Sequence, residues 1–487
     1  MNQKNAWEAY DEADLGKLEQ LSADYIEFIS QNKTERRFAK SAIEQAKSAG
    51  YVSLEDAYRA GYVLHAGDKV YATAHGKAVI LAQLGKNPIE EGMNILGAHI
   101  DSPRLDVKQN PLFEANGQAR LDTHYYGGIK HYQWVTLPLA LYGVVVKKDG
   151  TVIDVNVGDG AGDPVFCVTD LLIHLAKDQM GKPASEVVAG EDLDILVGNR
   201  PLIIKGADAA DASAASKAAD AKEDTPAYEK LAEKEPVKAF ALKLLHEKYG
   251  IEEDDFASAE LEAVPAGPAR EMGFDRSMIL GYGHDDSSCA WPSLMAQLEM
   301  AGKELETTAV TVLIDKEEIG SVGVTGMASH FFENTIAELM ELAGETGEVK
   351  LRRAMANSRM LSSDVSAGFD PAYASVFDLR NAAFLGHGLV FNKYTGSRGK
   401  SGSNDASAEY VAEVRRIMDD ANVVFQTSEL GKVDAGGGGT IAYLSAKYEM
   451  NVIDSGVAVL SMHAPWEVIS KADLYEAYKG YVAFLLA

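Results

Sequence analysis

Apolar residues recur at helical spacing over residues 7–49, at Leu18, Leu21, Tyr25, Phe28 and Ile29, with no proline and a single glycine. This pattern predicts helix. The stretches YATAHGKAVILAQLG and NILGAHIDSPRLDVK that follow read as strands. The second is nearly continuous in apolar residues and ends in polar ones, as a buried strand does when its C-terminal end carries function. From about residue 110 the texture changes. HYQWVTLPLALYGVVVKKDGTVIDVNVGD has a β rhythm interrupted by KKDG, which predicts a hairpin. The Ala/Asp/Lys-rich run after ILVGNRPLIIKG reads as an exposed loop or frayed helix, and VKAFALKLLHEKYG as a helix ending at Gly250.

Beyond about residue 272 strands and helices alternate again. SMILGYGHDDSSCAWPSLMAQLEMAG predicts strand, polar turn and helix. TAVTVLIDKEEIGSVG and RMLSSDVSAGFDP predict buried strands ending in acids. GGGGTIAYLSAKYEM predicts a glycine loop opening a helix, and NVIDSGVAVLSMHAPWEV a strand leading to His463. Such alternation implies an α/β architecture. No internal repeat is visible. The simplest organisation is one α/β domain formed by residues 1–109 and 271–487 and split by an inserted domain at 110–270.

Composition narrows the function. Acidic residues outnumber basic ones 73 to 46, a formal charge of −27 over 487 residues. A nucleic-acid binder needs a basic face, so this balance argues against one. Like charge keeps copies of a soluble protein apart. Cys167 and Cys289 are the only cysteines, too few for a disulfide framework or a cysteine zinc site. The N-terminus lacks the basic-then-apolar signature of a signal peptide. No apolar run approaches the ~20 residues that span a bilayer. The expectation is a cytoplasmic protein with no membrane or nucleic-acid partner.

The predicted strand ends share a chemistry. GAHIDSP supplies His99 and Asp101; GHDDSS supplies His284, Asp285 and Asp286; IDKEEIGS supplies Asp315, Glu317 and Glu318; SSDVS supplies Asp364; LSMHAPWE supplies His463. Any one of these alone reads as a turn or surface residue. Five apolar strands that each deliver His, Asp or Glu at one edge of an α/β sheet read as a site. Imidazole and carboxylate suit zinc, and carboxylates also suit manganese or cobalt. The set fits two divalent metal ions bridged by one carboxylate, with a water held between them. Of the adjacent Glu317 and Glu318, one can be a ligand and the other the base that takes the water's proton. The GGGGT stretch lacks the Lys-Ser/Thr of a phosphate loop and speaks against nucleotide binding.

In their order and text, GAHIDSPRLDVK, GHDDSSCAW, DKEEIGS, SSDVSAGFDP and LSMHAPWEV resemble the aspartyl aminopeptidase-type metallopeptidases, over about residues 35–485. The resemblance implies a three-layer α/β/α zinc-peptidase sandwich, split by an inserted β-rich dimerisation domain. It implies two zinc ions, one held by His99, Asp285 and Asp364, the other by Asp285, Glu318 and His463. Asp285 would bridge them, Glu317 would be the general base, and Asp101 would orient His99 from behind. Where the family often carries Asp-Asn this chain has Asp285-Asp286. His174, in DLLIHLAKD, would enter the active site of a neighbouring subunit, and dimers would build a tetrahedral dodecamer that admits peptides. The namesake members prefer N-terminal Asp or Glu; the cation for such a side chain would come from GLVFNKYTGSRGKSGSNDAS, with Lys393 as the contact and Arg398 and Lys400 nearby.

The function expected is therefore a metal-dependent aminopeptidase that removes N-terminal residues from peptides. A two-metal amidohydrolase of N-acyl amino acids is the enzymatic alternative, separable by whether the substrate needs a free α-amine. A non-catalytic shell protein is the other alternative, and an intact Glu317-Glu318 pair argues against it.

Overall fold

The computed structural model describes residues 4–204, 226–396 and 399–487. Most of the Ala/Asp/Lys-rich run, 205–225, lies outside the described residues. The chain divides into two compact units, Met1–Ser102 with Pro268–Ala487, and Pro103–Gly267.

The first unit is a three-layer sandwich around a nine-stranded sheet. At its centre Met93–His99 runs parallel to Thr308–Ile314 on one side and to Arg359–Ser363 on the other, and Arg359–Ser363 runs parallel to Asn451–Gly456. Four buried strands thus end at one edge. Alternate residues of these strands face opposite helical layers, because strand side chains have a period of two. Leu96, Ala98, Leu313 and Leu361 pack against Tyr25, Phe38, Trp291, Tyr410 and Phe484. Ile95, Val310, Val312 and Ile314 pack against Leu54, Phe332, Leu339 and Met355. The amphipathic stretch at 7–49 forms Glu12–Gln31 and Glu35–Ser48. The first of these is capped by Asp11, whose carboxylate accepts Ala13 N and Asp14 N at 2.9 Å each.

A five-stranded sheet belongs to the same unit, in the order Arg270–Met272, Met278–Gly281, Glu467–Ser470, Ala458–Leu460, Ser366–Ala367. Here the structure corrects the sequence reading. The strands that lead to Asp285 and His463 are in this smaller sheet, so the five strand ends do not form one edge. Hydrophobic runs reveal that a strand is buried but not which strand lies beside it. The run NVIDSGVAVL likewise forms two strands in two sheets, Asn451–Gly456 and Ala458–Leu460. The change of sheet occurs beyond Gly456, where an added Cβ would lie 1.9 Å from the Asp364 carbonyl oxygen. The helix after GGGGT is only Ala442–Ala446.

The second unit holds a seven-stranded sheet whose pairings are all antiparallel. The KKDG hairpin joins Leu139–Val146 to Val152–Val157. The helix Pro236–Tyr249 ends at Gly250, whose φ of 70° is the left-handed geometry glycine accepts most readily. Among the described residues no helix is long and apolar enough to cross a membrane.

Candidate metal centre

Four side chains arrive from three strand ends at the edge of the large sheet: His99 as the last residue of its strand, Glu317 and Glu318 in the turn after Thr308–Ile314, and Asp364 directly after Arg359–Ser363. Asp285 and His463 arrive from the small sheet. They converge. His99, Asp285, Asp286 and Asp364 each offer a ligand atom within 4.8 Å of the others, and so do Asp285, Glu318 and His463. Asp285 belongs to both groups. Its Oδ1 lies 3.2 Å from His99 Nε2, and its Oδ2 lies 3.3 Å from His463 Nε2. Glu318 Oε2 is 3.4 Å from the same His463 nitrogen.

These approaches are close, yet Asp285 Oδ1, Asp286 Oδ1 and Glu318 Oε1 are buried with no hydrogen-bond partner. Buried polar atoms ordinarily have one. Carboxylate oxygens and imidazole nitrogens that converge in this way are the donor set that a divalent cation takes.

Buried main-chain contacts hold the set in place. His99 Nδ1 lies 3.0 Å from the Asp101 carbonyl oxygen and 3.4 Å from Asp101 Oδ1. A proton on Nδ1 leaves the Nε2 lone pair for a metal. The Asp101 carboxylate also accepts the backbone N–H groups of Glu317 and Glu318, at 3.1 and 3.2 Å. Lys316, just before them, has a φ of 70°, which a non-glycine residue adopts only when its surroundings impose it. Ser102 Oγ donates to the Asp285 carbonyl at 2.7 Å.

The electrostatics follow from burial. Burial raises the Asp285 carboxyl, but the imidazoles of His463 and His99 more than offset it and hold the group below the usual carboxylate range. Burial pushes Glu317 up to about 7 and Glu318 and Asp364 well above the ordinary value; neighbouring acids add to all three shifts. At His99 burial lowers the pKa, but Asp101 and Asp285 reverse this and raise it.

Several residues singled out in the sequence lie elsewhere. His284 is outside both groups: its ring meets Tyr25 Oη at 2.8 Å and the Ile279 carbonyl at 3.2 Å, and burial lowers its pKa to about 3. Asp315 is buried and accepts from Thr325 Oγ1 at 2.5 Å. Lys393 lines a separate cleft of about 360 Å³ with Phe391, Arg415 and Glu429, and its ammonium lies 3.6 Å from Asp405. Lys400 pairs with the same Asp405 at 2.9 Å; Arg398 lies outside the described residues. His174 belongs to the second unit, in the exposed turn Ile173–Leu175.

Two further acids join the site: Asp286, a strand-end residue outside the ligand set that the resemblance implies, and Glu467, which the pattern of strand ends did not include. Asp286 enters the first group and accepts His99 N at 3.3 Å. Glu467, 1% exposed, accepts Asp285 N at 3.0 Å and His463 N at 2.7 Å. Burial pushes the Glu467 carboxyl up to about 8. The signal for Glu467 was present: an acid opening the apolar run EVIS has no solvent-facing role.

Comparisons with known proteins identify relatives of this chain and of its fold. The model of a family described as aminopeptidase I zinc metalloprotease (M18) matches residues 28–485. A probable M18 family aminopeptidase 1 of Clostridium acetobutylicum is 56% identical over 482 residues, 99% of this chain and 98% of that one. A crystal structure of an M18-family aminopeptidase from Thermotoga maritima superposes with a TM-score of 0.89 at 40% identity, covering 100% of this chain and 99% of the other. A Saccharomyces cerevisiae structure described as an mApe1 dodecamer shares the fold, with a TM-score of 0.72 at 20% identity and 95% of each chain covered.

Proposed function

Because this chain belongs to the aminopeptidase I zinc metalloprotease (M18) family and is a metal-dependent aminopeptidase, we propose that its site holds two divalent cations. His99, Asp285 and Asp364 would hold one, and Asp285, Glu318 and His463 the other. The observation that carries this reading is the position of Asp285, each of whose oxygens faces a different imidazole. The nitrogen and oxygen donors suit zinc, and cobalt or manganese would also be accepted. Bound cations supply Lewis acidity, which activates a water and polarises the scissile carbonyl.

Glu317 is the base in this reading. Its Oε2 stands 4.0 Å from His99 Nε2, beside the donor atoms and outside both ligand groups. A carboxyl whose pKa burial brings to about 7 can take the proton of the attacking water and return it to the leaving nitrogen. Asp101 orients both His99 and the Glu317 main chain. The substrates are peptides with a free α-amine; an N-acyl amidohydrolase and a non-catalytic shell protein do not fit the family.

Two further elements of the reading concern assembly and specificity. Leu172, Ile173 and Leu175 around His174 are 54, 67 and 68% exposed. A second copy of the chain covering this turn would bury them and bring His174 to its own site, and dimers so formed would build a dodecamer. The two cysteines are both free, which suits the reducing cytoplasm. For an N-terminal Asp or Glu, Lys393 would be the contact once released from Asp405.

The test is reconstitution. Metal-free protein supplied with zinc, cobalt or manganese should regain activity as two metal ions bind per chain. It should cleave an aminoacyl anilide and leave the N-acetyl form intact. Full turnover without metal, or equal cleavage of the acetylated substrate, would refute the reading.

A further inference from the structure

The strand that begins with Glu467 lies between the two strands of the small sheet that deliver metal-site residues. Glu467–Ser470 pairs with Met278–Gly281 on one side, Glu467 opposite Gly281, and with Ala458–Leu460 on the other, Val468 opposite Leu460. Asp285 follows the first neighbour by four residues and His463 follows the second by three. From this middle position one carboxylate reaches both. Oε2 accepts Asp285 N at 3.0 Å, and Oε1 accepts His463 N at 2.7 Å.

The backbone of His463 is not where it would settle alone. His463 has a φ of 65°, as does Ser461 at 61°, a left-handed geometry that costs a residue with a Cβ. Asp285 has φ −80° and ψ 103°, extended, although it stands at the start of a helix. Glu467 is 1% exposed, and among the described residues no Lys or Arg pairs with it. A buried carboxylate is costly unless its surroundings use it. Here two main-chain N–H groups do. A neutral amide of the same size cannot replace it: one arm would accept, and the other would turn an N–H₂ donor against an N–H donor.

We propose that Glu467 is a positioning residue that sets the spacing of the Asp285 carboxylate and the His463 imidazole by holding their main chains together. It touches neither the substrate nor a metal. Its task is to keep Asp285 Oδ2 and His463 Nε2 at a separation one cation can bridge. The inference rests on the ligand assignment given above.

The fold supplies its own control. Asp473 is also fully buried and also accepts two backbone N–H groups, from Gly386 at 2.9 Å and Gly388 at 2.7 Å. Those glycines are not metal-site residues. Full-length metal-free protein is titrated with cobalt(II) and followed by its visible absorption, for wild type, Glu467→Gln, Glu467→Asp and Asp473→Asn. Outer contacts to ligand residues typically change metal affinity by roughly 10–100-fold. Glu467→Gln should weaken one cobalt step by that factor and lower kcat with KM nearly unchanged. Asp473→Asn should lower the melting temperature and leave the cobalt titration as in wild type. A wild-type titration for Glu467→Gln, or an equal weakening in Asp473→Asn, overturns the proposal. So does failure of both Glu467 variants to fold, which would assign the residue to the scaffold. His463→Ala separates the inference from its premise. If that variant keeps both cobalt steps, the ligand assignment has failed; if it loses one while Glu467→Gln is silent, only the inference has.

Discussion

The side chain of Asp101 accepts the backbone N–H of Glu317 at 3.1 Å, while its own main-chain carbonyl lies 3.0 Å from His99 Nδ1. One residue thereby links an imidazole of the candidate metal centre to the acid beside it. In Asp101→Asn one acceptor becomes a donor facing an N–H. The expected result is a fall in kcat of about 10–100-fold with KM little changed. Steady-state kinetics on metal-replete enzyme measures it, and an unchanged kcat would remove Asp101 from the positioning of Glu317.

Glu317→Gln keeps the size of the side chain and abolishes its ability to take a proton. Activity should fall ~10²–10⁴-fold while metal content stays normal. Elemental analysis beside the kinetics decides. Should Glu317→Gln empty the site and Glu318→Gln leave it full, the roles of the two acids are exchanged.

Metal binding should release protons. Burial raises Glu318 and Asp364, and the acids around His99 raise it against its own burial. In the metal-free protein all three therefore hold protons to higher pH than usual, and a cation must displace them. Affinity should accordingly rise with pH across the neutral range and weaken as pH falls. Calorimetry of zinc binding in buffers of different ionisation enthalpy reads the proton count directly. A count of zero would mean that the ligands are already ionised.

His174→Ala should lower kcat by about 10²–10³-fold if its imidazole donates to the oxyanion, the range found for loss of such a donor. Mixing His174→Ala chains with Glu317→Gln chains should restore part of the activity, because one site of the mixed dimer would then be complete. Verified mixed dimers without activity would leave His174 as a residue of the exposed turn.

Lys393→Ala should slow cleavage of aspartyl and glutamyl substrates and spare leucyl ones if Lys393 meets an acidic side chain. Because its ammonium already lies 3.6 Å from Asp405, Asp405→Ala should then improve aspartyl turnover. A wild type that prefers leucyl or methionyl peptides would detach this enzyme from acidic specificity altogether.

The residues that gather at the candidate metal centre were legible in the chain where an apolar run stops. His99 closes Met93–His99, Asp364 follows Arg359–Ser363, and the Glu317-Glu318 doublet follows Thr308–Ile314. A run of buried residues announces a strand whatever its neighbours, and a charged residue at its end announces itself. The helical layers were legible for the same reason, at Leu18, Tyr25, Phe28 and Ile29. Which strand pairs with which was not, because a hydrophobic run is compatible with any buried partner. Only the tertiary structure put the strands that lead to Asp285 and His463 in a second sheet and set the strand of Glu467 between them. Only it showed His284 turned to Tyr25 and Lys393 turned to Asp405. Sequence spacing locates a side chain along its strand; its neighbours across the sheet depend on contacts between residues nearly two hundred positions apart, as Glu467 and Asp285 are.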